Sequence, residues 1–95
     1  MYMIAVTAEM KPGKAAEVGK KWKEFYSSRW DSVPGFEHAH WGHEDGTDKT
    51  MAVVILEQRP GEDELRQLMQ EFGPTVSHLT AGPPTVEWYE ILEQI

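Results

Sequence analysis

The segment Thr50-Met-Ala-Val-Val-Ile-Leu-Glu57 constrains this chain more than any other. Its six central residues, Met51 to Leu56, are all apolar, and turn-forming residues flank it at Asp45-Gly46 and Arg59-Pro60-Gly61. A short run rich in β-branched residues and bounded in this way predicts a strand buried on both faces, because a strand with one wet face would alternate apolar and polar side chains. Met51, Val53 and Ile55 point to one side, and Ala52, Val54 and Leu56 to the other. The fold therefore has to cover this strand twice.

With 95 residues, the chain has room for one core and is expected to form a single domain over residues 1–95. It contains no cysteine, so packing or association has to supply what disulfides or thiolate metal sites supply elsewhere. The formal charge of −7 argues against nucleic acid or an anionic membrane as partner, since both require a basic patch. The start, Met-Tyr-Met-Ile-Ala-Val, lacks a basic leader and runs directly into a strand pattern, and no apolar stretch reaches membrane-spanning length. A soluble cytoplasmic protein is the expectation.

Tyr2 to Glu9 reads as a first strand, with Tyr2, Ile4, Val6 and Ala8 on one face and Met3, Ala5, Thr7 and Glu9 on the other. After Lys11-Pro12-Gly13 the period changes. Ala15, Val18, Trp22, Phe25 and Arg29 recur at helical spacing, opposite Glu17, Lys20, Lys21, Lys23 and Glu24, until Asp31-Ser-Val-Pro-Gly35 stops the helix. Phe36 to His43 forms a second strand, joined through Glu44 to Asp48 in a hairpin with the apolar strand. Glu62, Asp63 and Glu64 suit the positive end of a second helix, whose buried stripe is Leu65, Leu68, Met69 and Phe72 and which Gly73-Pro74 is expected to break. A short helical turn over Thr75 to Leu79, an extended Gly82-Pro-Pro84 and a last strand from Thr85 to Glu93 complete the order. The resulting β-α-β-β-α-β pattern is ferredoxin-like, of α+β class, with right-handed crossovers placing both helices on one face of a four-stranded antiparallel sheet.

Few residues offer chemistry. His38, His40 and His43 cluster in the second strand, and in a strand the imidazoles of His38 and His40 share a face, where they can meet one metal or one substrate proton. A solvated edge strand accounts for the same residues, and no metal is expected. His78 stands alone near the end of the second helical region. The first helix is unusually aromatic, with Trp22, Phe25 and Tyr26 followed by Trp30. Core packing uses some of these rings, and the excess can line a flat apolar cleft between helix and sheet. Nucleotide-binding glycine loops, the serine-hydrolase elbow and the His-Glu-x-x-His zinc motif are all missing from the sequence.

Four stretches carry a family likeness: Val6-Thr-Ala-Glu-Met-Lys-Pro-Gly13, Val33-Pro-Gly-Phe36, the apolar strand ending at Glu57, and Pro84-Thr-Val-Glu-Trp-Tyr-Glu-Ile91. Together they resemble the dimeric α/β-barrel superfamily, and within it the antibiotic biosynthesis monooxygenase-like group, over nearly the whole chain. The resemblance implies a small aromatic or apolar molecule held between helices and sheet, and a monooxygenase-like enzyme that needs no cofactor. In that scheme His78 or His40 serves as the base, Thr7 and Tyr26 orient the substrate and Trp22 stacks on it. A non-catalytic binding or assembly module on the same fold is the alternative. Haem held by His78 is a third, disfavoured reading, since the haem-degrading relatives carry an asparagine and a tryptophan where this chain has Thr7 and Leu68.

The doubly apolar central strand also implies a partner. Helices confined to one side leave the other parity of Met51 to Leu56 facing outward, on a sheet face of roughly 300–400 Å² in projection, near the largest apolar patch a soluble monomer tolerates. A second copy stacked through that face, giving a homodimer, is the expected cover.

Overall fold

The computed structural model describes every residue except Pro60 and the side chain of Ser32, so the turn expected at Arg59-Pro60-Gly61 lies partly outside the described residues. The chain runs β1 (Tyr2–Glu9), α1 (Ala15–Tyr26), a 3₁₀ turn (Trp30–Ser32), β2 (Phe36–His43), β3 (Lys49–Leu56), α2 (Glu62–Val76) and β4 (Thr85–Glu90). The sheet order is β2-β3-β1-β4, with all three pairings antiparallel. This is the ferredoxin-like arrangement that the sequence predicts. No helix among the described residues is long and apolar enough to cross a membrane.

Register sets the two faces of the sheet. Ala39, Val54, Ile4 and Trp88 stand opposite one another across the four strands, as do Trp41, Ala52, Val6 and Val86. These two rows face the helices, and Ile4, Ala52, Val54 and Leu56 are buried there. The intervening rows, His38-Ile55-Met3-Tyr89 and His40-Val53-Ala5-Glu87, face the other way. The helices leave them uncovered, and Met51 and Tyr89 on that face are 44% and 45% exposed. The double cover that β3 calls for is therefore half supplied within one chain.

Three elements depart from the sequence reading. First, α2 continues through Gly73-Pro74 to Val76 instead of breaking there. Proline forgoes one ladder bond near the helix end, and its steric restriction on the preceding residue is eased because Gly73 has no Cβ. Burial of Val76 and Leu79 holds that last turn in place. Second, α1 stops at Tyr26, where Ser27 Oγ donates to the Lys23 carbonyl at 2.6 Å and the chain tightens into the 3₁₀ turn. Third, β4 ends at Glu90 rather than Glu93. Its partner β1 runs out at Tyr2, opposite Glu90, and only the Ile91 N–H reaches back to Met1, at 2.8 Å.

Gly19 has a packing role that periodicity does not reveal. A Cβ there would overlap Cδ1 and Nε1 of Trp41, which crosses from β2 onto α1 and donates its Nε1 hydrogen to the Ala15 carbonyl at 3.2 Å. The glycine lets the helix sit directly on the indole. At the other end, the backbone N–H of Gly13 donates to Asp48 Oδ1 at 3.0 Å, tying the start of α1 to the β2–β3 turn.

The register assigns opposite outcomes to two adjacent substitutions. Val54→Lys places a charge under the helices and should abolish cooperative folding, since burying an unpaired ammonium costs several kcal/mol. Val53→Lys lies on the uncovered face and should keep the native circular dichroism spectrum and a sigmoidal thermal melt. Equal melts for the two variants would contradict the assignment of faces.

Candidate ligand cavity

The core is divided. One buried cluster gathers Ile4, Tyr26, Trp30, Val33, Val54, Leu56 and Leu65, and a second gathers Met10, Ala15, Val18, Val76 and Leu79. Among the partly buried hydrophobics around them, only Phe72 packs against both. Residues of both clusters line a cavity of about 410 Å³ between the helices and the sheet. Its floor is Ile4, Val6, Ala8, Ala52 and Val54, mostly short side chains, while its walls carry Trp22, Tyr26, Trp41 and Phe72. Small residues beneath bulky rings leave volume that neither layer fills. Gly82, Pro83 and Pro84, leading into β4, close one side.

The aromatic wall is continuous. Trp22 lies 5.7 Å from Trp41 and 6.0 Å from Tyr26, measured between ring centroids. Tyr26 stacks on Trp30 at 5.4 Å, and Trp30 stacks on Phe36 at 5.0 Å with an interplanar angle of 7°. Phe25, outside the lining, packs behind this wall, edge-on to Tyr26 at 4.8 Å and 5.2 Å from Phe72, with the Arg29 guanidinium 3.7 Å over its ring.

Polar side-chain atoms are few along the lining. The hydroxyls of Ser77 and Thr80 are engaged at the helix end, by the carbonyls of Pro74 and Ser77, each at 3.3 Å. Trp30 Nε1 is buried without any hydrogen-bond partner. Tyr26 is the one titratable residue among those lining the cavity. Burial pushes its pKa from 10.0 up to about 12, with Arg29 pulling it down and Glu71 pushing it up more weakly. The phenol therefore stays protonated near neutrality and can donate, but it is no base.

The residues singled out in the sequence separate in space. Trp22 and Tyr26 lie together on the cavity wall. Thr7 does not join them: it pairs with Met51 and Thr85 on the uncovered face, because odd-numbered β1 residues point away from the helices. His40 is on that same face, paired with Val53 and exposed. His78 follows the end of α2, exposed and outside the lining. Trp30, one of the rings credited with lining a cleft, does line the cavity, as do Trp41, Met69 and Phe72, to which the sequence reading assigned no site role. For Trp41, strand parity set it on the face opposite His40, and the structure shows that face to be the one under the helices.

No protein-family model matches the sequence, and no curated protein does. Solved structures match in shape. A protein from Nitrosomonas europaea superposes with a TM-score of 0.75 at 15% identity, covering 98% of this chain and 100% of its own. One from Bordetella bronchiseptica gives 0.75 at 14%, covering 97% of each chain. A third, from Caulobacter crescentus, gives 0.73 at 17%, covering 97% of this chain and 90% of its own. All three carry, provisionally, the name antibiotic biosynthesis monooxygenase. At these identities the likeness is one of fold: the chain has the ferredoxin-like fold of the antibiotic biosynthesis monooxygenase-like proteins.

Tyr26 gives the cavity a spectroscopic handle. In an alkaline titration followed by phenolate absorbance, one of the three tyrosines should ionise late, at about 12, and Tyr26→Phe should delete that step. Because the folded-state pKa lies above the unfolded value, the folded chain holds this proton more tightly. Its contribution to stability is complete below pH 10.0 and is lost as pH rises toward about 12. A chain whose alkaline unfolding is unchanged by Tyr26→Phe would show that burial of this phenol does not govern it.

Proposed function

We propose that the protein is a cofactor-independent, monooxygenase-like enzyme acting on a small phenol or enol held in the cavity between helices and sheet. The observation that carries this reading is the cavity: about 410 Å³, walled by aromatic rings, with the Tyr26 phenol as the titratable group of its lining. That volume is toward the lower end of ligand sites and suits about two or three fused rings. Trp22 offers a ring to stack on, and the Tyr26 hydroxyl suits a substrate oxygen that becomes negative.

The lining carries no side-chain base, so the proton has to leave for water at the cavity mouth, which selects a substrate acidic enough to ionise there. The anion passes an electron to dioxygen, and the radical pair combines into a hydroperoxide at ring carbon. Loss of water then gives a quinone: one dioxygen oxygen becomes the new carbonyl and the other departs as water. For a naphthol the balance is naphthol plus dioxygen to naphthoquinone plus water. No metal or organic cofactor enters this scheme.

A second reading, a non-catalytic binder of the same class of molecule, is favoured by the absence of any titratable lining residue other than Tyr26. Titration of tryptophan fluorescence with a naphthol, paired with an oxygen electrode, separates the two. The enzyme reading expects saturable binding and one dioxygen consumed per quinone formed. Binding without oxygen uptake favours the binder, and failure of naphthol and naphthalene alike to bind defeats both. Trp22→Leu should weaken naphthol binding by roughly three- to tenfold, the worth of one aromatic contact, and leave the fold intact. If this variant unfolds instead, Trp22 is a core residue and not a cavity wall.

We also propose that the chain forms a homodimer through the uncovered sheet face, where Met3, Val53, Ile55, Met51 and Tyr89 make an apolar surface. Sedimentation at micromolar concentration should give a dimer for the wild type and a monomer for Val53→Lys. A monomeric wild type would defeat this proposal and leave the cavity reading untouched.

A further inference from the structure

Of the four histidines, two are held as a pair. His38 and His40 are separated by one residue on β2, so both imidazoles project from the same side of the strand, over Ile55 and Val53 of β3. The register shift between Phe36 and His38 gives Glu37 no β3 partner and brings His38 and His40 into step with Ile55 and Val53. The ring centroids lie 5.2 Å apart with the planes at 60°. Both residues are exposed, and neither makes a hydrogen bond or ion pair with a described residue. The ring nitrogens are thus free to bind.

The spacing matches a specific requirement. An imidazole nitrogen sits about 2.0–2.1 Å from a bound zinc-like ion, which puts the ring centroid about 3.2 Å from the metal. Two such rings at the angles of octahedral to tetrahedral coordination, roughly 90–110°, then have centroids about 4.5–5.2 Å apart. The observed separation falls at the tetrahedral end of that range. The strand sets the spacing of the two side chains before any ion arrives, and the exposed rings order further on binding.

We infer that His38 and His40 form a two-imidazole site for a late first-row divalent cation, Cu²⁺, Ni²⁺ or Zn²⁺, on the face of the sheet opposite the cavity. Neutral imidazole suits these ions, whereas Mg²⁺ and Ca²⁺ require oxygen ligands. No group of three or more His, Asp or Glu gathers among the described residues, so the protein supplies two ligands and water fills the remaining positions. His43 belongs to the opposite parity and turns its Nδ1 toward the Thr47 carbonyl, 3.4 Å away, so it is not part of the pair. The net charge of −7 favours cations near the surface in general, while the paired imidazoles account for selectivity.

The test is calorimetric titration of the untagged full chain with each cation, combined with electron paramagnetic resonance of the Cu²⁺ form. Saturation at one ion per chain is expected, tightest for Cu²⁺ and absent for Mg²⁺, with hyperfine structure from two nitrogens. Half an ion per chain that depends on the same residues also supports the site, the ion then being held by the pairs of two copies. His38→Ala and His40→Ala should each weaken binding at least about tenfold, with circular dichroism unchanged, whereas His43→Ala should bind as the wild type does. No saturable binding, or undiminished Cu²⁺ binding in the double variant His38→Ala/His40→Ala, would overturn the inference.

Discussion

The structure turns on the position of β3, between β1 and β2, with apolar side chains on both parities. Ladder hydrogen bonds fix the strand in the middle of the sheet, and alternation of side chains forces the demand for cover in two opposite directions. Right-handed crossovers bring both helices to the Ala52-Val54-Leu56 side, and no helix among the described residues covers the Val53-Ile55 side. The two faces therefore have different fates. The covered face encloses a cavity, and the uncovered face carries the material for association and the paired imidazoles.

The cavity follows from how the covered face is filled. A sheet floor of Val6, Ala8 and Ala52 offers short side chains exactly where α1 and α2 bring long ones. Had the floor been leucine and phenylalanine, the rings of Trp22 and Phe72 would have closed onto it. Two contacts keep the layers from collapsing further. Trp41 is wedged against Gly19 and hydrogen-bonded to the Ala15 carbonyl, and Trp30 is sandwiched between Tyr26 and Phe36. Each braces one end, so the volume between them persists although the core is split into two clusters.

The order of elements and the parity of each strand were legible in the sequence because both rest on periodicity, a local signal. The ends of elements were less so. Where α2 ends depends on Gly73 easing the restriction from Pro74 and on the burial of Val76 and Leu79, and the last two are tertiary facts. The excess of rings on α1 pointed to a cleft, and Trp22 and Tyr26 do line one. Placing Thr7 and His40 beside them required knowing which parity meets the helices, and one sequence does not say. His78 falls just beyond the last turn of α2, where a shift of one residue decides between facing the cavity and facing water. Its neighbour Ser77 lines the cavity, and His78 does not.

The chemistry open to such a cavity is limited by what its wall can exchange. A phenol held protonated well above neutrality is a donor, so it stabilises negative charge on a guest but cannot create it. A guest lacking an oxygen acceptor gains only apolar contact. A guest with an ionisable hydroxyl can gain from the Tyr26 donor, and the gain grows as its proton departs, because a hydrogen bond to an anion is stronger than one to a neutral oxygen. In a dry, aromatic site that difference lowers the energy of the ionised guest relative to the neutral one. The wall thus has a way to promote ionisation without holding a base, and this links an apolar cavity to oxygen chemistry that begins from an anion.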